Sequence, residues 1–168
     1  TGGEATVGAS YDFGNGFTIA SGFQTASTAS GVFTDQSKDA YALNASYIAD
    51  NYGASVTYGL IENVALTNED VYTAFNAYYT PDMEGIPSIS VGYETGDIGG
   101  AVDAKDESTS FFLGLTWDEV GPGSAGIAMG HSSTIEDQDE SYQYEAYYSY
   151  PVNDGMTVTP LIFLKENN

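Results

Sequence analysis

The residues able to do chemistry are few and scattered. His131, in AMGHSS, is the one histidine, and there is no cysteine. A zinc site of the usual kind draws on clustered Cys and His, so none is supported and His131 reads as a structural or loop-mouth residue. A Ser–His–Asp set would have to be built on this histidine, and no G-x-S-x-G elbow presents a serine. Glu94 and Glu145 are the right types for a carboxylate pair. They stand among small polar residues with no pocket motif, so lining a polar interior is the better reading. The run EDQDE (136–140) offers carboxylates to a hard cation but lacks the Gly-centred twelve-residue pattern of an EF-hand. GNGFTIASG (14–22) has the glycines of a phosphate loop without its helix. The expectation is a protein that is not an enzyme, with no cofactor and no metal site.

Charge narrows the partners. Three lysines and no arginine stand against 24 Asp plus Glu, a net charge of −21. A nucleic-acid backbone would be repelled. Acids gather between apolar runs, at Asp35, Asp39, Glu69, Asp70, Asp97, Asp103, Asp106, Glu107, Glu136, Asp137, Asp139 and Glu140, offset locally by Lys38 and Lys105. Such clusters either solubilise loops or form an acidic vestibule that draws cations inward.

The elements behind these residues are strands. At 168 residues the chain is about one domain long. It contains no run of 18 apolar residues, which excludes a transmembrane helix and leaves a β-barrel open. No charged and apolar leader precedes Thr1, so the expectation is that any signal peptide has been removed or was never included. Gly (20) and Tyr (14) are abundant, and residues alternate with period 2 almost throughout. About ten strands are expected, near 4–14, 17–28, 39–49, 52–62, 71–81, 86–97, 108–118, 124–135, 141–150 and 156–165. Most approach the 9–11 residues a tilted strand needs to cross a bilayer, longer than an ordinary soluble strand. Short turns at 14–16, 50–51, 81–85, 120–124 and 152–155 alternate with longer acidic links near 29–38, 63–70, 98–107 and 136–140. That predicts an all-β, antiparallel up-and-down meander with all short turns at one end, the layout of an outer-membrane β-barrel.

The faces sharpen this reading. Tyr41, Leu43, Ala45 and Tyr47 share one side of their run, and Ala42, Asn44 and Ser46 share the other. Ile89, Val91 and Tyr93 oppose Ser88, Ser90, Gly92 and Glu94, and Phe111, Leu113, Leu115 and Trp117 stand together. Tyr47, Tyr52, Tyr79, Trp117 and Tyr150 all lie beside short turns on the apolar side. A girdle of Tyr and Trp at a membrane boundary puts rings in lipid and polar groups in water. A soluble sandwich or secreted barrel also alternates, but a wet face normally carries Lys and Glu, and these strand interiors are nearly uncharged.

Four stretches, GASYDFGNGFT (8–18), NAYYTPDMEGIPSISVGYETGDIGG (76–100), FFLGLTWDEVGPGSAGIAMGHSS (111–133) and YEAYYSYPVNDGMTVTPLIFLKEN (144–167), carry a family resemblance. The chain resembles the C-terminal part of a cyanobacterial outer-membrane porin, of the group related to carbohydrate-selective porins and labelled iron-uptake porins. The resemblance implies a single domain over 1–168 that belongs to a larger barrel. An S-layer-homology domain and early strands precede such a region in the family and are absent from this sequence. The ending LKENN departs from the terminal aromatic residue with which outer-membrane barrels typically finish. The resemblance further implies a homo-oligomer, often a trimer, in the outer membrane of a Gram-negative-type, cyanobacterial cell. Outer-membrane lipid surrounds it and small hydrophilic solutes pass through it.

The leading functional expectation is a water-filled diffusion channel that prefers cations and passes ions, inorganic iron or sugars. Its charge-selectivity candidates are Glu94 and Glu145 inside, with Asp103, Asp106, Glu107, Asp137, Asp139 and Glu140 at the mouth. The alternative is a secreted or surface-displayed acidic β-protein with an adhesive or structural role.

Overall fold

The structure, a computed structural model, describes residues 4–26, 37–63, 68–99 and 106–167. Valine, tyrosine, phenylalanine and threonine at alternating positions favour extended backbone, and among the described residues every regular element is a strand. These are β1 (Glu4–Asp12), β2 (Phe17–Ala26), β3 (Lys38–Ile48), β4 (Tyr52–Asn63), β5 (Asn68–Tyr79), β6 (Ser88–Asp97), β7 (Glu107–Val120), β8 (Gly123–Ile135), β9 (Tyr142–Asn153), β10 (Met156–Val158) and β11 (Leu161–Lys165). From β1 to β10 each strand pairs antiparallel with its sequence neighbour in one sheet, and β11 pairs antiparallel with β9. The expected pairing of 39–49 with 52–62 is present, as Ala40–Ile61 through Ile48–Gly53.

Short turns close the hairpins at one end, as expected. In the first, the Asp12 carboxylate accepts from Gly14 N at 2.8 Å and the Asn15 side-chain oxygen accepts from Phe17 N at 3.2 Å. Gly16 has φ 85°, and a Cβ there would run into the Ile48 carbonyl. Its own carbonyl accepts from Ile48 N at 2.8 Å, stitching the turn to β3. Only glycine meets both demands.

The last expected strand, 156–165, is corrected to two, β10 and β11. Pro160 has no N–H to give the ladder, and its carbonyl instead accepts from Tyr148 N at 3.2 Å. The register to β9 also shifts between Met156 and Thr157.

The sheet is a single open layer. β1 lies at one edge and the β10–β11 segment at the other, and no hydrophobic side chain among the described residues is buried. Residues paired across an antiparallel ladder share a face, so the register sorts every position. One face carries Tyr11, Ile19, Phe23, Leu43, Val56, Phe75, Val91, Leu113, Ile127 and Tyr144 along successive strands. The opposite face carries Ser10, Ala20, Asn44, Thr57, Ala74, Glu94, Gly114, Ala128 and Glu145. Among the described residues no helix is long and apolar enough to cross a membrane, a statement that does not bear on strands.

Candidate functional site

The polar face is built from small residues, with a few large rings laid over glycines. Tyr78 pairs with Gly53, Tyr72 with Gly96 and Tyr147 with Gly126. A Cβ at Gly53 would come within 2.5 Å of Tyr78, and one at Gly96 within 2.8 Å of Tyr72. Each ring shields a glycine backbone that would otherwise stand bare. Between the rings lies a surface rich in hydroxyls and amides. Asn44 Nδ2 donates to Thr57 Oγ1 at 2.7 Å, and Asn44, Ser46, Ser55, Asn76, Tyr78 and Ser90 help to line a shallow cleft of about 370 Å³.

Both carboxylates expected to line a polar interior, Glu94 and Glu145, lie on this face. Glu94 is paired with Ala74 and Ser110, and Glu145 with Ala128 and Phe163. The register traces Glu145 through Ala128 and Gly114 to Ser90, four residues from Glu94 on β6. Three strand spacings and four residues of rise separate the two carboxyls by about 20 Å across the sheet. They cannot share a proton or a substrate atom, so the acid–base pair is excluded and two separate charges remain.

The mouth candidates divide. Asp103 lies outside the described residues. Asp106 is exposed, and its carbonyl accepts from Ile98 N at 2.7 Å. Glu107 pairs with Asp97, which puts both carboxylates on the apolar face, in line with Phe111 and Leu113. Asp137, at φ 63°, turns the link after β8, and Asp137, Asp139 and Glu140 are exposed. Glu136 N donates to the Glu107 carbonyl at 2.9 Å, folding this link back on the start of β7. Glu107, Glu136, Asp137 and Glu140 thereby share an open cleft of about 190 Å³.

Tyr47, Tyr52, Tyr79, Trp117 and Tyr150 all occupy the apolar face near the short turns. Tyr52 and Tyr79 are register partners, and the rings of Tyr47 and Tyr52 stand 6.0 Å apart. Sequence reasoning missed how far this band extends. Tyr11, Phe13 and Phe17 continue it at 4.8 and 5.3 Å. A second aromatic group, Phe23 with Tyr41 at 5.0 Å and Phe111 with Tyr142 at 6.0 Å, lies toward the long links. Aromatic spacing from the far strand ends was the signal available for it.

His131 belongs to that second group. It is 8 % exposed, packed edge-on against Phe111 at 4.9 Å and Tyr142 at 5.7 Å. Its Nδ1 donates to the Ser132 carbonyl at 3.0 Å, while Nε2 lies 4.0 Å from Glu140 Oε1. No set of three His, Cys, Asp or Glu groups among the described residues converges in metal-caging geometry. At the long-link end, beyond the apolar band, the Glu62 carboxyl is held above its usual range by burial and by the Asp39 and Glu69 carboxylates.

Acids also occupy the short-turn end, at Asp12, Asp50, Asp82, Glu84, Asp118, Glu119 and Asp154. Both ends of the sheet are therefore anionic. Comparison with family models, with curated proteins and with solved structures returns no match to this chain.

Proposed function

We propose that this chain forms wall strands of an outer-membrane β-barrel of the porin type. The barrel encloses a water-filled channel for small hydrophilic solutes, with a preference for cations. One observation carries the reading: every long strand presents an apolar row, yet none of those side chains is buried. Leu43 is 52 % exposed, Phe75 49 % and Ile127 49 %. Soluble monomers rarely expose apolar patches beyond roughly 300–600 Å², and here the apolar surface runs across all the long strands. Lipid is the partner whose chemistry matches an apolar band with Tyr and Trp at its edges. The opposite face, small, hydroxylated and carrying Glu94 and Glu145, suits a wet lumen. A homo-oligomer in the outer membrane of a Gram-negative-type cell completes the proposal, with a trimer suggested by the porin resemblance.

The test is planar-bilayer conductance of the protein in its membrane-extracted form. Stepwise channels with a cation-directed reversal potential in a KCl gradient support the reading, and absence of conductance overturns it. The open sheet, with β1 and the β10–β11 segment at its edges, favours a second reading. A surface-displayed acidic β-protein could assemble through those strands. Extraction by detergent with heat-modifiable gel migration favours the barrel; release by a salt wash favours the surface protein.

A further inference from the structure

Two buried oxygen atoms on the apolar face lack a hydrogen-bond partner among the described residues. Thr25 and Asp39 are register partners across β2 and β3, with 0 % and 5 % of their surface exposed. Among the described residues, neither Thr25 Oγ1 nor Asp39 Oδ1 has a hydrogen-bond partner. A buried carboxylate oxygen without a donor is strongly disfavoured unless a cation or a proton meets it. The same row continues into more negative charge. One step beyond the Ala40–Ile61 pair, Asp39 faces Glu62, and Glu62 pairs directly with Glu69. Like charges placed opposite each other across a ladder repel. No lysine among the described residues relieves them: Lys38 pairs with Ala26 and so lies on the other face, and Lys165 is on β11 at the far edge of the sheet.

We propose that the Thr25–Asp39–Glu62 row binds a hard divalent cation of the calcium or magnesium class. Asp39 Oδ1 and Thr25 Oγ1 are its inner ligands, and Glu62 closes on it from β4. The donors are all oxygen, the set such ions prefer, and a partly aqueous shell is normal for them. Because the protein carboxylates do not by themselves converge to a cage, water fills the remaining positions. The site stands whether or not the sheet spans a membrane.

Calorimetric titration of the full chain with CaCl2, after chelator treatment, tests this. A parallel titration with TbCl3 reads emission sensitised by Tyr41, two residues along the same face from Asp39. One saturable site per chain is expected, with Ca2+ displacing Tb3+. Glu62→Gln and Thr25→Val should each weaken it about tenfold or more, as fewer charged or oxygen ligands lower affinity. Asp39→Asn should abolish it, and Glu94→Gln, on the other face, should leave it unchanged. Far-UV circular dichroism of each variant establishes that the sheet is retained. If Asp39→Asn loses the sheet, Glu62→Gln and Thr25→Val decide the matter. Absence of saturable binding, or affinity indifferent to these replacements, overturns the site.

Discussion

At Glu62 the carboxyl faces Glu69 directly and Asp39 beyond the last ladder pair. Its raised folded-state proton affinity has a definite sign for stability. An acid whose pKa rises on folding penalises the fold once it ionises. The penalty is absent below the ordinary carboxylate range, grows as pH rises toward the folded value and is complete above it. In chelator, Glu62→Gln should therefore raise the urea midpoint at pH 7.5, and the gain should close by about pH 4. Added CaCl2 should cancel the gain, because the wild-type carboxylate then has a counter-ion. Glu94 and Glu145 make a contrasting case. They stand about 20 Å apart across the sheet, beyond the roughly 8 Å Debye length at physiological ionic strength. In the proposed channel, Glu94→Gln and Glu145→Gln should each shift the reversal potential, and their double replacement should give the sum. A strongly non-additive result would mean that the sheet curls the two together.

The elements are held by cross-strand pairs in place of a core. Tyr78 over Gly53 and Tyr147 over Gly126 illustrate the device, in which a large ring fills the space a neighbour leaves empty. Valine at Gly53 or Gly126 must displace a ring, which should cost about 1–3 kcal/mol in the urea midpoint measured in detergent. Alanine at Gly22, on the same face with nothing within 4 Å of its added Cβ, should change stability by less than about 0.5 kcal/mol. Equal effects at the two kinds of site would remove the ring–glycine pairs as a structural device. Trp117 probes the other face. If its aromatic band sits at a lipid boundary, lipids brominated near the headgroup should quench its emission more than those brominated at mid-chain. Emission indifferent to both would place the band in water.

For the whole molecule, charge sits at both ends and apolar surface in between. Acids crowded at a low-dielectric rim concentrate cations, and salt screens the effect, over about 8 Å at physiological strength and about 3 Å at 1 M. The cation preference of the proposed channel should therefore fade as KCl is raised. Replacing the acids of 103–107 and 136–140 by Asn and Gln should move the reversal potential toward zero, with conductance changing far less because pore width is unaltered. Part of the cation preference should survive, because the short-turn acids from Asp12 to Asp154 are untouched. An anion-selective channel would reduce both acidic ends to solubilising surface. The open edges make a further expectation: without detergent the chain should aggregate through β1 and the β10–β11 segment. A monodisperse water-soluble monomer on sedimentation would count against the barrel.

The alternation in runs such as Tyr41 to Tyr47 and Ser88 to Glu94 determined the strands, their faces and their antiparallel order, because a period of two is a property of neighbouring residues. Turn residues such as Gly14 and Gly16 did the same for the hairpin ends, since positive φ is a local demand. The sequence also placed Glu94 and Glu145 on the polar side correctly. Other facts came only with the tertiary structure. Glu107 turned out to lie on the apolar face, Glu94 and Glu145 to stand far apart on the polar one, and Thr25, Asp39, Glu62 and Glu69 to fall in one row. These depend on register summed over several strands, and a long link does not fix the register of the strands it joins. A one-residue slip in any ladder would exchange its faces, so which charges meet is decided by the whole sheet at once.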